Sequence, residues 1–195
     1  ADIRELVAGI LTDEGYAVRT ANDSESALAA ITARKPALIV LDAQNDFFAP
    51  DNPNLPAFEA TVPVINGAIA HFRAQGAPPT FVHHTTERKP VGSQPWAIND
   101  RFDCRPTDTR MNKTGENAFW NTGLDTLLRS QRVGRVIIAG YASERCVLST
   151  LRGAAERGYE AVLLDGGIAT FDDRYTQFVL EISPRVALEA LRAGL

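Results

Sequence analysis

Thiols are scarce in this chain of 195 residues, which holds two cysteines, Cys104 and Cys146. Two are too few for a disulfide scaffold, so a stapled secreted fold is excluded and a reducing, cytoplasmic setting is expected. No apolar run approaches the roughly 20 residues that span a bilayer. The N-terminus lacks the charged-then-apolar layout of a signal peptide, and no membrane partner is expected. A positive excess is missing too. Twenty Lys and Arg against 24 Asp and Glu give a net charge of −4, which offers nucleic acid no electrostatic footing. There is no low-complexity segment and no sequence repeat. What is present is a hydrophobic fraction of 45%, ordinary for a globular protein that buries a sizeable core.

The most informative stretch is VIIAGYASERCVLSTLRGAAERG, residues 136–158. Val136 to Ala139 is too short for a helix and rich in β-branched residues, so it predicts a buried strand. Gly140 breaks it. Val147, Leu148, Leu151, Ala154 and Ala155 then recur at helical spacing, and Gly158 ends the helix. Cys146 falls where the loop becomes the helix's first turn. Free N–H groups and the helix dipole there favour a thiolate; a small buried hydrophobe is the plainer alternative.

Elsewhere the pattern alternates. Ile3, Leu6, Val7, Ile10 and Leu11 share a helical face, and residues 16–20 alternate like a strand. Asn22, Asp23 and Ser24 offer a cap for a helix carrying Ala27, Leu28 and Ile31, which ends before Pro36. Ala37 to Leu41 is a continuous apolar run, hence a central strand, and it ends in Asp42. Thr61 is expected to cap a helix with Pro63 in its first turn, followed by a strand at 79–84. Residues 85–112 read as a long loop. Asn121 or Thr122 caps a helix with Leu124, Leu127 and Leu128. A strand at 161–164 ends in Asp165-Gly166-Gly167. Tyr175, Phe178, Val179 and Ile182 mark a helix, and residues 185–187 a short edge strand before a terminal helix. The class is α/β: a three-layer αβα sandwich with a mostly parallel, Rossmann-like sheet. Strand 37–42 is central, with 79–84 on one side and 136–139 then 161–164 on the other. Strand 16–20 has no assigned neighbour.

Chemistry in such folds gathers at the carboxyl ends of the strands. Asp42, Lys113 and Cys146 qualify by position, although a strand-end Asp often caps a turn and a loop Lys is usually solvated. Their surroundings carry a resemblance. Asp42 in LIVLDAQNDFF, Lys113 in KTGENAFWNTGLDTLL and Cys146 in IIAGYASERCV are similar to the three signatures of the isochorismatase-like cysteine hydrolases. The likeness runs from about residue 37 onward, and Asn117 stands where Ser is more usual.

The resemblance implies an amide- or ureide-cleaving enzyme with the catalytic triad Asp42, Lys113 and Cys146. True isochorismatases usually lack this cysteine. It implies a cis peptide between Tyr141 and Ala142, and an oxyanion hole made by the N–H groups of Ala142 and Cys146. It further implies a small-molecule substrate, no cofactor and a homo-oligomer. Nicotinamidases in the family hold a metal with Asp-x-His; here the region reads FVHHTTERK. His83 and His84 are adjacent on a strand and point to opposite faces, so no metal is expected. Phe48, His84, Phe119 and Trp120 are candidates for the substrate pocket, while Arg88 and Lys89 read as exposed loop charges.

Residues 1–42 carry a second likeness, to a response-regulator receiver domain, in which Asp42 would accept phosphate. The acidic pair that receiver chemistry needs for Mg²⁺ is not in this sequence. A hybrid is therefore expected: a receiver-like segment, 1–36, packed on or replacing the N-terminal part of a hydrolase domain, 37–195. A phospho-accepting module and an inert hybrid scaffold are the alternatives to a hydrolase.

Overall fold

The computed structural model describes residues 2–14, 18, 20–24 and 35–194. The chain forms two compact units, residues 1–34 and 35–195. In the first, helix α1 (Ile3–Asp13) is capped by Asp2, whose carboxylate accepts from Arg4 N at 3.1 Å. Its predicted apolar face is exposed, and α1 buries no residue. The expected strand 16–20 and the helix carrying Ala27, Leu28 and Ile31 lie largely or wholly outside the described residues.

The second unit is built on six parallel strands: β1 (Lys35–Leu41), β2 (Thr80–His84), β3 (Thr109–Lys113), β4 (Val133–Tyr141), β5 (Glu160–Ala169) and β6 (Arg185–Val186). Their order is β3-β2-β1-β4-β5-β6. The expected neighbours of β1 are in place, with β2 on one side and β4 then β5 on the other. Alternate residues of each strand enter opposite cores, as a pleat buried on both faces requires. Leu38, Val40, Ile137, Ala139 and Leu164 join the core under α2 (Leu55–Ala74), while Ile39, Leu41, Val136, Ile138 and Leu163 join the other. On that second face lie α3 (Leu124–Ser130), α4 (Leu148–Glu156) and α5 (Asp173–Glu181). The short α6 (Leu188–Arg192) returns to the α2 face.

Three elements differ from the sequence reading. Helix α2 starts at Leu55, so Thr61 is not its cap and Pro63 lies inside it. Thr61 instead donates to Phe58 O at 2.7 Å and is buried. A proline in a helix interior costs roughly 3 kcal/mol, while burying one large apolar side chain returns about 1.5–3 kcal/mol. Phe58 and Ile65, both wholly buried, offset it. Second, the loop 85–112 gives way to β3, a polar edge strand that pairs with β2 from Thr80↔Thr109 to His84↔Lys113. Third, β5 does not stop at Asp165-Gly166-Gly167. Its register against β4 slips between Ile138 and Gly140, Gly166 takes φ +70°, and the strand runs on to Ala169. That continuation carries Thr170 and Phe171 to the site.

Among the described residues, no helix is long and apolar enough to cross a membrane.

Candidate active site

The order β3-β2-β1-β4-β5-β6 reverses direction between β1 and β4, and that reversal opens a crevice beyond the strands' carboxyl ends. Asp42 leaves β1 in the left-handed conformation, φ +52°, and its N–H donates to Val82 O at 2.8 Å. Aspartate tolerates that conformation better than most residues. Gly140 at the end of β4 lies so close that a Cβ there would sit 1.9 Å from Leu41 O. After the cis Tyr141–Ala142 peptide, residues Ser143–Val147 form one π-type turn that leads into α4. Ala142 O accepts from both Arg145 N and Val147 N, at 3.1 and 3.2 Å, which holds the turn that carries Cys146.

Lys113 is the last residue of β3, not a loop residue, and its side chain is buried. Its Nζ bonds Asp42 Oδ2 at 2.9 Å, Cys146 Sγ at 3.0 Å and Gly115 O at 3.3 Å. Thus three side chains from distant parts of the chain meet, with the ammonium between carboxylate and sulfur. Asp42 Oδ1 is buried and has no hydrogen-bond partner among the described residues. The loop after Lys113 is held by Asn117, whose Oδ1 accepts from Phe119 N at 2.9 Å. A Cβ at Gly153 would lie 2.3 Å from Asn117 Nδ2, so the bare glycine makes room for an amide where Ser is more usual.

The thiolate favoured by a helix N-terminus is opposed by this environment. Burial, then the charge of Asp42, push the Cys146 thiol up to about 12, against the opposing pull of Lys113. A thiol so placed holds its proton more tightly than a free cysteine, and that proton must leave as the sulfur attacks. Because the pKa is raised, the reactive thiolate is scarce at neutral pH and grows tenfold per pH unit. Iodoacetamide should therefore label Cys146 ever faster from pH 7 upward, with no plateau below about pH 11. A plateau near pH 8 would contradict that environment.

Asp42 and Cys146 line a cavity of about 690 Å³. His84 and Ala142 share its floor with Asp42 and Cys146, and Phe47, Phe171 and Tyr175 form apolar walls. The other pocket candidates lie elsewhere. Phe48 is buried against Phe58, Phe102 and Tyr141. Phe119 is buried and stacks on Tyr159. Trp120 is 54% exposed and covers Gly115 from outside. An apolar ring packs equally well in a core, and its type alone could not tell the two apart.

Lys89 also differs from its reading as a solvated charge. It is 8% exposed, and its Nζ bonds Asp46 Oδ2 at 2.6 Å and Gln44 Oε1 at 3.2 Å at the cavity edge. Arg88 is exposed at the mouth. Asp42, His84 and Cys146 have ligand atoms within 4.8 Å of one another, close enough for a metal ion. The Lys113 ammonium, already bonded to two of the three, puts a positive charge at the same point and opposes a dication.

Fold and site together define a three-layer α/β hydrolase with a buried carboxylate–ammonium–thiol set. Residues 36–187 match the Isochorismatase domain family, so the chain belongs to that family. It is an isochorismatase-family hydrolase whose Asp42, Lys113 and Cys146 form a triad-like arrangement. An uncharacterized isochorismatase family protein of Bacillus subtilis, YddQ, is 30% identical over 139 residues, covering 69% of this chain and 77% of that one. The ureidoacrylate amidohydrolase RutB of Methylobacterium radiotolerans is 37% identical over 73 residues, 37% of this chain and 28% of its own. A crystal structure of an isochorismatase family protein superposes with TM-score 0.70 at 33% identity, covering 75% of this chain and 92% of that chain. A separate match, 66% identical over 41 residues, is to the nitrogen assimilation regulatory protein NtrX of Azorhizobium caulinodans; it covers 21% of this chain and 9% of that protein.

Proposed function

We propose that this chain hydrolyses a C–N bond of a small amide or ureide through a thioester on Cys146. The observation that carries the reading is the Lys113 ammonium bonded at once to Asp42 and Cys146, both of which line the cavity. Asp42 Oδ1, buried and without a hydrogen-bond partner among the described residues, accepts the thiol proton as sulfur attacks the carbonyl carbon. Lys113 steadies the sulfur's charge on the way. The N–H groups of Ala142 and Cys146 receive the oxyanion, each such donor being worth roughly 3 kcal/mol of barrier. Asp42 then passes its proton to the nitrogen that leaves, and water releases the acid. Similarity to RutB, itself an amidohydrolase of a ureido compound, supports a C–N bond over a vinyl ether.

The test is ammonia release from a panel of primary amides and ureides. Cys146→Ala should lower the rate on any turned-over member by about 10⁴ or more. Hydrolysis that survives the substitution would refute a cysteine mechanism. Phosphate uptake at Asp42 from acetyl phosphate and Mg²⁺ would instead favour a receiver role. The NtrX match supports reading 1–36 as a receiver-like segment joined to a hydrolase domain, 37–195.

Self-association is part of the same proposal. Phe171, Tyr175, Phe178 and Ile182 are each about half exposed on and beside α5, a patch that a monomer leaves wet. Sedimentation should give a mass above 21.2 kDa; the monomer mass at micromolar concentration would count against it.

A further inference from the structure

We propose that His84 is the base of the second half-reaction, taking the proton of the water that attacks the thioester and returning it to sulfur. This rests on the thioester reading above. His84 ends β2, and its backbone is locked by the buried Gln44. His84 N donates to Gln44 Oε1 at 2.9 Å, while Gln44 Nε2 donates to His84 O at 3.1 Å and Trp96 O at 2.7 Å. The ring is thereby aimed. Its Nε2 lies 3.3 Å from Thr114 O. A carbonyl oxygen can only accept, so Nε2 carries the hydrogen and Nδ1 keeps its lone pair. Nδ1 sits 3.8 Å from Cys146 Sγ, on the same cavity.

The charges around the ring agree. Burial, then Lys113, hold the imidazole below its ordinary pKa; Asp42 opposes and Lys89 adds. At neutral pH His84 is therefore an uncharged base beside the sulfur. Asp42 serves the first half-reaction and hands its proton to the leaving amine, while His84 Nδ1, an uncharged acceptor 3.8 Å from Sγ on the same cavity, is placed for the second. In the second half, the water oxygen bonds to the thioester carbon and its proton goes to Nδ1. The C–S bond breaks, and the electron pair stays on sulfur next to Lys113. The imidazolium proton then crosses to that sulfur. Acid, thiol and neutral imidazole result, with nothing oxidised or reduced.

The probe is p-nitrophenyl acetate, whose leaving group needs no proton. The parent chain should show a burst of p-nitrophenolate, from acetylation of Cys146, followed by steady turnover. In His84→Gln the burst amplitude should stay within about twofold while the steady phase slows by about 10². Acetyl-Cys146 should accumulate by mass spectrometry, and hydroxylamine should restore turnover because it attacks without a base. The retained burst also reports that the site has folded. A steady phase within about threefold of the parent in both His84→Gln and His84→Ala would overturn the role, as would loss of the burst along with turnover. A burst that survives Cys146→Ala, or no adduct on the parent, would overturn the thioester reading itself and this inference with it.

Discussion

Lys113→Met should abolish hydrolysis and cost the fold about 3–5 kcal/mol in urea melts. Both partners of this ion pair are essentially out of water, Lys113 at 1% exposure and Asp42 at 0%. Removing the ammonium leaves a buried carboxylate whose Oδ1 already has no hydrogen-bond partner among the described residues. Losing a partner from a buried pair is far more damaging than the pair's own net contribution, because the remaining charge keeps its desolvation penalty. The double variant Asp42→Asn/Lys113→Met should recover more than half of the lost stability, since no unpaired charge remains, and stay inactive. Together the two results separate the structural cost of the charge from its chemical use. A single variant melting within about 1 kcal/mol of the parent would show that water reaches Asp42 and that the site is wetter than its geometry.

Gly140→Ala carries the second large effect, a loss above roughly 4 kcal/mol or no folded protein at all. Its φ of +112° lies where side chains are strained, and the new methyl would stand 1.9 Å from Leu41 O and 2.8 Å from Leu41 N. Those atoms belong to the central strand and cannot swing aside as a side-chain tip can. Gly76→Ala is the control: φ is +69°, but nothing lies within 4 Å of its Cβ. It should cost about 1–2 kcal/mol, the price of the left-handed conformation alone. Equal losses in the two variants would mean that conformation, not collision, dominates at Gly140. The contact matters for function because Gly140 seats the turn bearing Cys146 against the strand that ends in Asp42.

How far the chain can be read before it is folded depends on the element. The central strands were legible because burial on both faces leaves uninterrupted apolar runs, Ala37 to Leu41 and Val136 to Ala139. β3 was not, because an edge strand such as TRMNK alternates part-buried and exposed residues and carries polar side chains that read as loop. The start of α2 was obscured for another reason. Thr61 and Pro63 imitate a helix beginning, and only the core packed on Phe58 makes the preceding turn worth forming. At the site, Asp42, Lys113 and Cys146 stood out by motif. Residue type did not distinguish Phe48 and Phe119 in the core from Phe47 and Phe171 on the cavity. Lys89 was equally opaque, since its burial depends on Gln44 and Asp46 arriving from another strand's end.

By itself, the order of amino acids determined the α/β class, the position of the central strands and which three side chains could do chemistry. The first two follow from local pattern, whereas the three side chains stood out through the resemblance of their surroundings to the motifs of a known family. Tertiary structure alone decided that the three meet, that burial pushes the thiol's pKa up against the pull of Lys113, and that His84 faces the thiol through Nδ1. Each of these depends on distance and solvent exclusion between residues far apart in the chain.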